Sequence, residues 1–249
     1  MGSVIVSEEA GVRFLHFSSS WVQGAMRVAR PWALELEYTR EMMFPLLLSG
    51  NDWPRHVLVI GLGAASIPKF LFRHRPQAKQ TIVEIDPGVV GVARQHFKLP
   101  DENDHFRIVV DDGADFIVRS RKRFDLIVVD GYDASADTGR LNSLAFLLEC
   151  KARLSANGFL VTNLLSRRKS FRASVKALEE AFDGRSLVLP PCEAGNVIAI
   201  CHASDRVEFQ LADLRVEARR LKKDTGLNLL PTLARLEGST RLDDGRLSI

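Results

Sequence analysis

Two aspartates stand three residues apart in the run Asp130-Gly131-Tyr132-Asp133, directly after the apolar stretch Leu126-Ile127-Val128-Val129. An acid pair at the mouth of a pocket can bind an amine and accept its proton, leaving a nucleophilic lone pair on nitrogen. One of the two could instead cap the helix that follows. Three more segments have the make-up of a nucleoside site. Gly61-Leu62-Gly63-Ala64-Ala65-Ser66 follows the run Val57-Leu58-Val59-Ile60, and glycines there allow a tight turn and close backbone approach to a ligand. Ser66 occupies the third glycine's place, so the dinucleotide pattern G-x-G-x-x-G is not completed. Glu84 comes 23 residues after Gly61, where a carboxylate can accept from both ribose hydroxyls; the bland alternative is an acid at a strand end. Asp111-Asp112-Gly113 offers either an acceptor for an adenine amino group or a helix N-cap, and Asp86 before Pro87 suits a cap.

These segments need a frame that brings them to one edge. Apolar runs at 56–60, 81–85, 106–110, 125–130, 158–163, 186–189 and 197–201 predict strands covered on both faces. Helical patterns near 66–73, 88–96, 113–119, 143–154 and 171–182 separate the first six of them. Such alternation implies right-handed crossovers and an α/β fold with a mainly parallel seven-stranded sheet. The last two strands lie too close for a helical crossover, and Pro190-Pro191 with Gly195-Asn196 predicts an antiparallel hairpin. Ligands in open sheets of this kind bind beyond the carboxyl ends of the strands, and all four acidic or glycine-rich segments fall at such ends.

Residues 1–54 have a different texture: 4–6 and 12–17 flank Glu9-Ala10-Gly11 as a β-hairpin, 21–26 suits a further short strand, and 36–48 looks helical with Pro45 ending or kinking it. The nucleoside-binding unit is expected over 55–204. A C-terminal extension at 205–249 holds an amphipathic helix at 209–223 stopped by Gly226, and a polar tail from Gly238 expected to fray.

Composition sets the remaining bounds. Of 249 residues, 46% are hydrophobic and 26% charged, with a net charge of +3, which is ordinary globular usage. Cys150, Cys192 and Cys201 have neither disulfide nor metal spacing. No apolar run approaches the roughly 20 residues of a membrane span, and no signal pattern opens the chain, so a cytoplasmic location is expected, with no membrane partner. The basic clusters at 119–123, 167–169 and 219–223 lack interleaved aromatics and are read as solvated helix ends and faces rather than a nucleic-acid footprint.

Together the segments resemble the spermidine synthase (polyamine aminopropyltransferase) family, a branch of the class I methyltransferase-like, Rossmann-like fold, over about residues 21–204. The run Val57 to Gly63 looks like its first strand and glycine loop, Val83-Glu84-Ile85-Asp86 its ribose element, Asp112-Gly113 its adenine element, and 124–133 its D-x-x-D catalytic loop. Tyr38 and Glu41-Met42 stand where that family has a tyrosine followed by an E-M pair, and Gln23 is similar to an N-terminal glutamine. The resemblance implies aminopropyl transfer from decarboxylated S-adenosylmethionine to an amine such as putrescine, with methylthioadenosine as second product and no metal. Asp130 would take or steer the amine's proton, Asp133 would hold an ammonium, and Tyr38 would line the active site. Gly61, Gly63, Glu84, Asp112, Gly113 and Gln23 would bind the donor. A homodimer pairing through the N-terminal part is also implied.

At Ala64 the family has an aspartate that grips the donor's free amine. The stretch after the fifth strand lacks the family's glutamine-containing pattern, and the loop 189–196 lacks its tyrosine. Two alternatives therefore stay open. One is a methyltransferase using S-adenosylmethionine itself, in which Asp130 and Asn163 could help hold a divalent cation. The other is a nucleoside-binding member without turnover.

Overall fold

A two-residue turn starts the fold. Ala10 and Gly11 both take positive φ (49° and 73°), which matches the twist of two flanking strands, and β1 (Val4–Glu9) pairs antiparallel with β2 (Val12–Phe17). A third strand, β3 (Val22–Arg27), adds to β2, so the N-terminal region is a three-stranded sheet rather than a lone hairpin. The computed structural model describes residues 4–17, 22–132, 138–192, 194–239, 242–243 and 245–249. Asp133 of the expected acid pair, and Trp21 at the start of the expected third strand, lie outside them.

The segment 36–48 is not one helix. It forms α1 (Glu37–Glu41) and then, past Met42-Met43, a 3₁₀ turn over Phe44–Leu47 with Pro45 in its first turn. Proline cannot donate to the preceding turn, so it starts a new segment where it cannot continue the old one.

The sheet that follows is the one the apolar runs imply. Its strands are β4 (His56–Ile60), β5 (Lys79–Glu84), β6 (Phe106–Val110), β7 (Phe124–Val129), β8 (Leu154–Leu165), β9 (Ser186–Val188) and β10 (Asn196–His202). They lie in the order β6-β5-β4-β7-β8-β10-β9. The pairs among β4 to β8 are parallel, and β10 runs antiparallel to both its neighbours. The crossovers are α2 (Ser66–His74), α3 (Pro87–His96), α4 (Gly113–Arg119), α5 (Leu144–Arg153) and α6 (Phe171–Ala181). Alternate residues on each strand serve opposite cores. Val57, Val59, Leu126 and Val128 face one apolar cluster, and Leu58, Ile60, Ile127 and Val129 the other.

The C-terminal part belongs to the first of these cores. After β11 (Glu208–Gln210) come α7 (Leu211–Thr225), ended by left-handed Gly226 as expected, and α8 (Leu230–Glu237). The described part of the tail is paired: β12 (Leu242–Asp243) and β13 (Arg246–Ser248) form a small sheet with β11, and Leu247 and Ile249 are buried in the main core. Two apolar side chains among polar neighbours anchor it, too few to register as a pattern.

Candidate functional site

At the carboxyl ends of β4, β5 and β7 the chain wraps a cavity of about 770 Å³. Gly61 turns the chain out of β4 at φ +96°, and a Cβ there would lie 2.3 Å from the Asp130 carbonyl oxygen. Only glycine lets the β4 and β7 exits pass this closely. Gly113 has a similar duty: a Cβ would meet Ile60 Cγ2 at 2.3 Å, so its absence lets α4 start against the end of β4. Gly63, at φ +50°, completes the turn into α2.

Glu84, at the end of β5, faces the same cavity. Its Oε2 accepts from the Leu62 amide at 2.8 Å and its Oε1 from the Asp86 amide at 3.0 Å. These bonds fix the carboxylate across the glycine turn while each oxygen keeps acceptor capacity; burial pushes its pKa up against them. Asp86 caps α3, its Oδ1 accepting from Gly88 N at 2.8 Å. Asp112 is an N-cap and a cavity wall at once. Its Oδ1 accepts from the Ala114 and Asp115 amides, and its Oδ2 pairs with Arg140 at 2.9 Å. Burial acts upward on this carboxyl, but Arg140 and the two amides outweigh it and hold it below its ordinary value. Ile85, 61% exposed, and Leu141 put apolar surface beside these acids, as a flat heterocycle needs. Glu84 and Asp112 thus share one hollow with Gly61, Gly63 and Gly113.

Asp130 leads out of β7, and its side chain is not a helix cap. Its Oδ1 accepts from Asn163 Nδ2 at 2.9 Å, and Asn163 Oδ1 in turn accepts from Asn196 Nδ2 at 2.9 Å. Tyr38 of α1 lines the cavity beside the same carboxylate and favours its charged form. Burial raises the Asp130 pKa, with Asn163 and Tyr38 pulling it back. Burial, then the charge of Asp130, pushes the Tyr38 hydroxyl well above its ordinary value, so it stays a donor. Tyr132 Oη donates to the Asn163 carbonyl oxygen at 2.6 Å. The result is a partly exposed carboxylate held by a fixed set of neutral donors, a setting for a general base.

Gln23 of β3 also lines the cavity, while Gly24 beside it lies on the glycine turn: a Cβ at 24 would come within 2.5 Å of the Ala64 Cβ. Ala64 is 2% exposed and packs with Leu15, Met26 and Phe97. Position 64 therefore seats the N-terminal sheet. Sequence reasoning missed Asn196 and Arg140, named Ile85 only within the ribose element, and took Arg167 for part of a solvated basic cluster although it lines the cavity. Asn163 entered only as a cation ligand of the methyltransferase alternative; in the structure it donates to Asp130.

A family model described as "Spermine/spermidine synthase domain" matches residues 36–192. A polyamine aminopropyltransferase of Chromobacterium violaceum is 37% identical over 249 residues, covering 100% of this chain and 95% of the relative. Among solved structures, a probable spermidine synthase from Corynebacterium glutamicum has the same fold, with a TM-score of 0.72 at 18% identity over 88% of this chain and 83% of that one. Human methyltransferase-like protein 13, solved in complex with SAH, has a TM-score of 0.66 at 25% identity over 84% of this chain and 96% of that one.

Proposed function

The chain belongs to the spermine/spermidine synthase family, and from that premise we propose that it transfers an aminopropyl group from decarboxylated S-adenosylmethionine to a small amine. The observation that carries this reading is the hydrogen-bonded chain Asp130–Asn163–Asn196 with Tyr38 beside the carboxylate, set in one cavity with Glu84, Asp112 and Gly61. In this reading Glu84 accepts from the ribose hydroxyls and Asp112 from the adenine amino group. Gly61, Gly63 and Gly113 admit the nucleoside against the backbone. Gln23 holds the donor's free amine, for which Ala64 has no acid to offer.

The reaction is a displacement at carbon. Asp130 accepts a proton from the acceptor's ammonium, and the freed lone pair attacks the methylene bonded to sulfonium. The N–C bond forms as the C–S bond breaks, and its electron pair neutralises sulfur to give methylthioadenosine. Alignment supplies most of the acceleration in such a step. Tyr38 holds the carboxylate on the attacking side, and Asp133 is assigned to an ammonium on the strength of the sequence pattern.

A second reading rests on Ala64, whose burial leaves the glycine turn without a carboxylate: S-adenosylmethionine itself as a methyl donor. Supplying the protein with either donor and a panel of amines decides between them. Aminopropyl transfer yields methylthioadenosine from the decarboxylated donor, and Asp130→Asn slows it by about 10²–10⁴-fold with nucleoside binding intact. No methylthioadenosine with any amine at high enzyme concentration would sink the proposal.

A further inference from the structure

Arg140 reaches the nucleoside side of the cavity from a short 3₁₀ turn, Gly139–Asn142, that leads into α5. The turn is closed on itself. The Leu141 amide donates to the Thr138 carbonyl oxygen at 3.0 Å, and the Ser143 amide and hydroxyl both donate to the Arg140 carbonyl oxygen, at 3.0 and 2.8 Å. Two contacts dock it beside the strand ends. Arg140 Nη2 lies 2.9 Å from Asp112 Oδ2 and donates to Asp115 Oδ1 at 3.0 Å, so one nitrogen bridges the N-cap acid of α4 and the acid of its first turn. Leu141 packs on Gly131, where a Cβ would come within 2.5 Å of the leucine Cδ1. The turn therefore spans from the acid on the nucleobase side to the residue next to Asp130.

A carboxylate has about four acceptor sites, two on each oxygen. Oδ1 of Asp112 commits its pair to the Ala114 and Asp115 amides, at 2.7 and 3.2 Å. Those amides anchor one oxygen only, and the other is free to swing about it unless something holds it. The guanidinium takes one place at Oδ2, which stops the swing and leaves one place for a donor in the cavity. Its charge also works against burial on the same carboxyl, keeping the group a pure acceptor. Arg140 is 61% exposed and Asp115 49%, so these ion pairs add little to folding stability. Their effect is on direction.

We propose that Arg140 is a positioning residue for the nucleobase: it turns the last acceptor site of Asp112 into the cavity, and through Asp112 it selects a purine that carries an amino group at C6. The inference rests on the nucleoside assignment made above for Asp112, and it is independent of which group is then transferred.

The probes are methylthioadenosine and its analogue with hydrogen in place of the 6-amino group. Calorimetry follows their binding to the wild type, Arg140→Ala, Arg140→Lys and Asp112→Asn. The ratio of the two dissociation constants reads the amino group alone, because a loosened turn weakens both ligands alike. The wild type is expected to favour methylthioadenosine by about 10–100-fold, as for a hydrogen bond to a charged group. In Arg140→Ala the ratio falls by about tenfold while the Tm barely moves, and Arg140→Lys, which keeps the charge in another geometry, restores part of it. A ratio that Arg140→Ala leaves unchanged overturns the proposal. So does one that rises, since the guanidinium would then merely compete for Oδ2. Asp112→Asn tests the assignment underneath, because asparagine still caps the helix. There the amino group should give no advantage. A full advantage in that variant removes Asp112 as the adenine acceptor and the proposal with it, whereas its loss there beside an unmoved Arg140→Ala rejects the role of Arg140 alone. A wild type that binds neither probe rejects the nucleoside site itself.

Discussion

Asp130 keeps a carboxylate where water is scarce, and its two donors pull against burial. A base must be ionised to accept a proton, so the acidic limb of the rate profile follows the Asp130 pKa. Burial already moves that limb upward from the ordinary aspartate value. Removing a donor that favours the charged form raises it further. Asn163→Leu and Tyr38→Phe are each expected to shift the acidic limb of kcat/KM upward by on the order of one pH unit, and Asp130→Asn to cut turnover by about 10²–10⁴-fold. Profiles measured with a saturating donor check this; a limb that stays put in both variants would show that another group titrates. Arg140 marks a second balance at this scale. Its ion pair with Asp112 engages an oxygen that an adenine amino group would also use, so both must share the carboxylate's lone pairs when nucleoside is bound.

Five residues make a helix too short to hold itself, so α1 depends on what grips it. Thr232 and Arg235 of α8 both bond to Glu41 Oε1, and Arg235 reaches Glu37 at 2.8 Å. Tyr38 sits between these acids. Arg235→Met would leave Glu41 buried without its counter-charge, so that it protonates, at a cost of about 1–3 kcal/mol. The expected result is a lowered Tm together with a kcat that falls more than the acceptor KM changes. Arg235→Lys should restore part of the Tm but less of the rate, because an ammonium cannot fork between two acids. Thermal melts and steady-state kinetics on the same preparations read both. The sequence could be read well wherever a side chain was tied to a strand end, since the sheet fixes where such ends go; Gly61, Glu84, Asp112 and Asp130 all meet for that reason. It was opaque where contact depends on tertiary approach. Nothing local relates Arg235 to Tyr38, or Arg167 in the β8–α6 connection and Asn196 at the start of β10 to Asp130 beyond β7. The α8 start did leave a signal in Pro231 within its first turn, obscured by the leucines around it.

At the scale of the whole molecule, the carboxyl of Glu41 and the amine of Lys69 are both fully buried, and they act oppositely on stability. Glu41 titrates at about 7 instead of 4.5, chiefly from burial. The folded chain therefore holds more protons than the unfolded one between those values, and stability falls as pH rises through that window. Lys69, whose Nζ donates to the Phe97 carbonyl oxygen at 2.7 Å, is lowered by burial from 10.5 to about 7. Here the unfolded chain holds the extra proton, so stability rises from about pH 7 toward 10.5. Their joint contribution is a trough near neutrality. Lys69→Met should flatten the alkaline rise in Tm and leave the acidic slope in place, as melts at successive pH values would record; an alkaline rise that persists unchanged would assign it elsewhere. Gly24 against Ala64 has a consequence of the same reach. With no room for even a methyl group between them, the N-terminal sheet and the glycine turn have no play, like two gears cut to one tooth. A nudge to that sheet from outside would be felt first as a change in grip on the nucleoside, before any loss of folding.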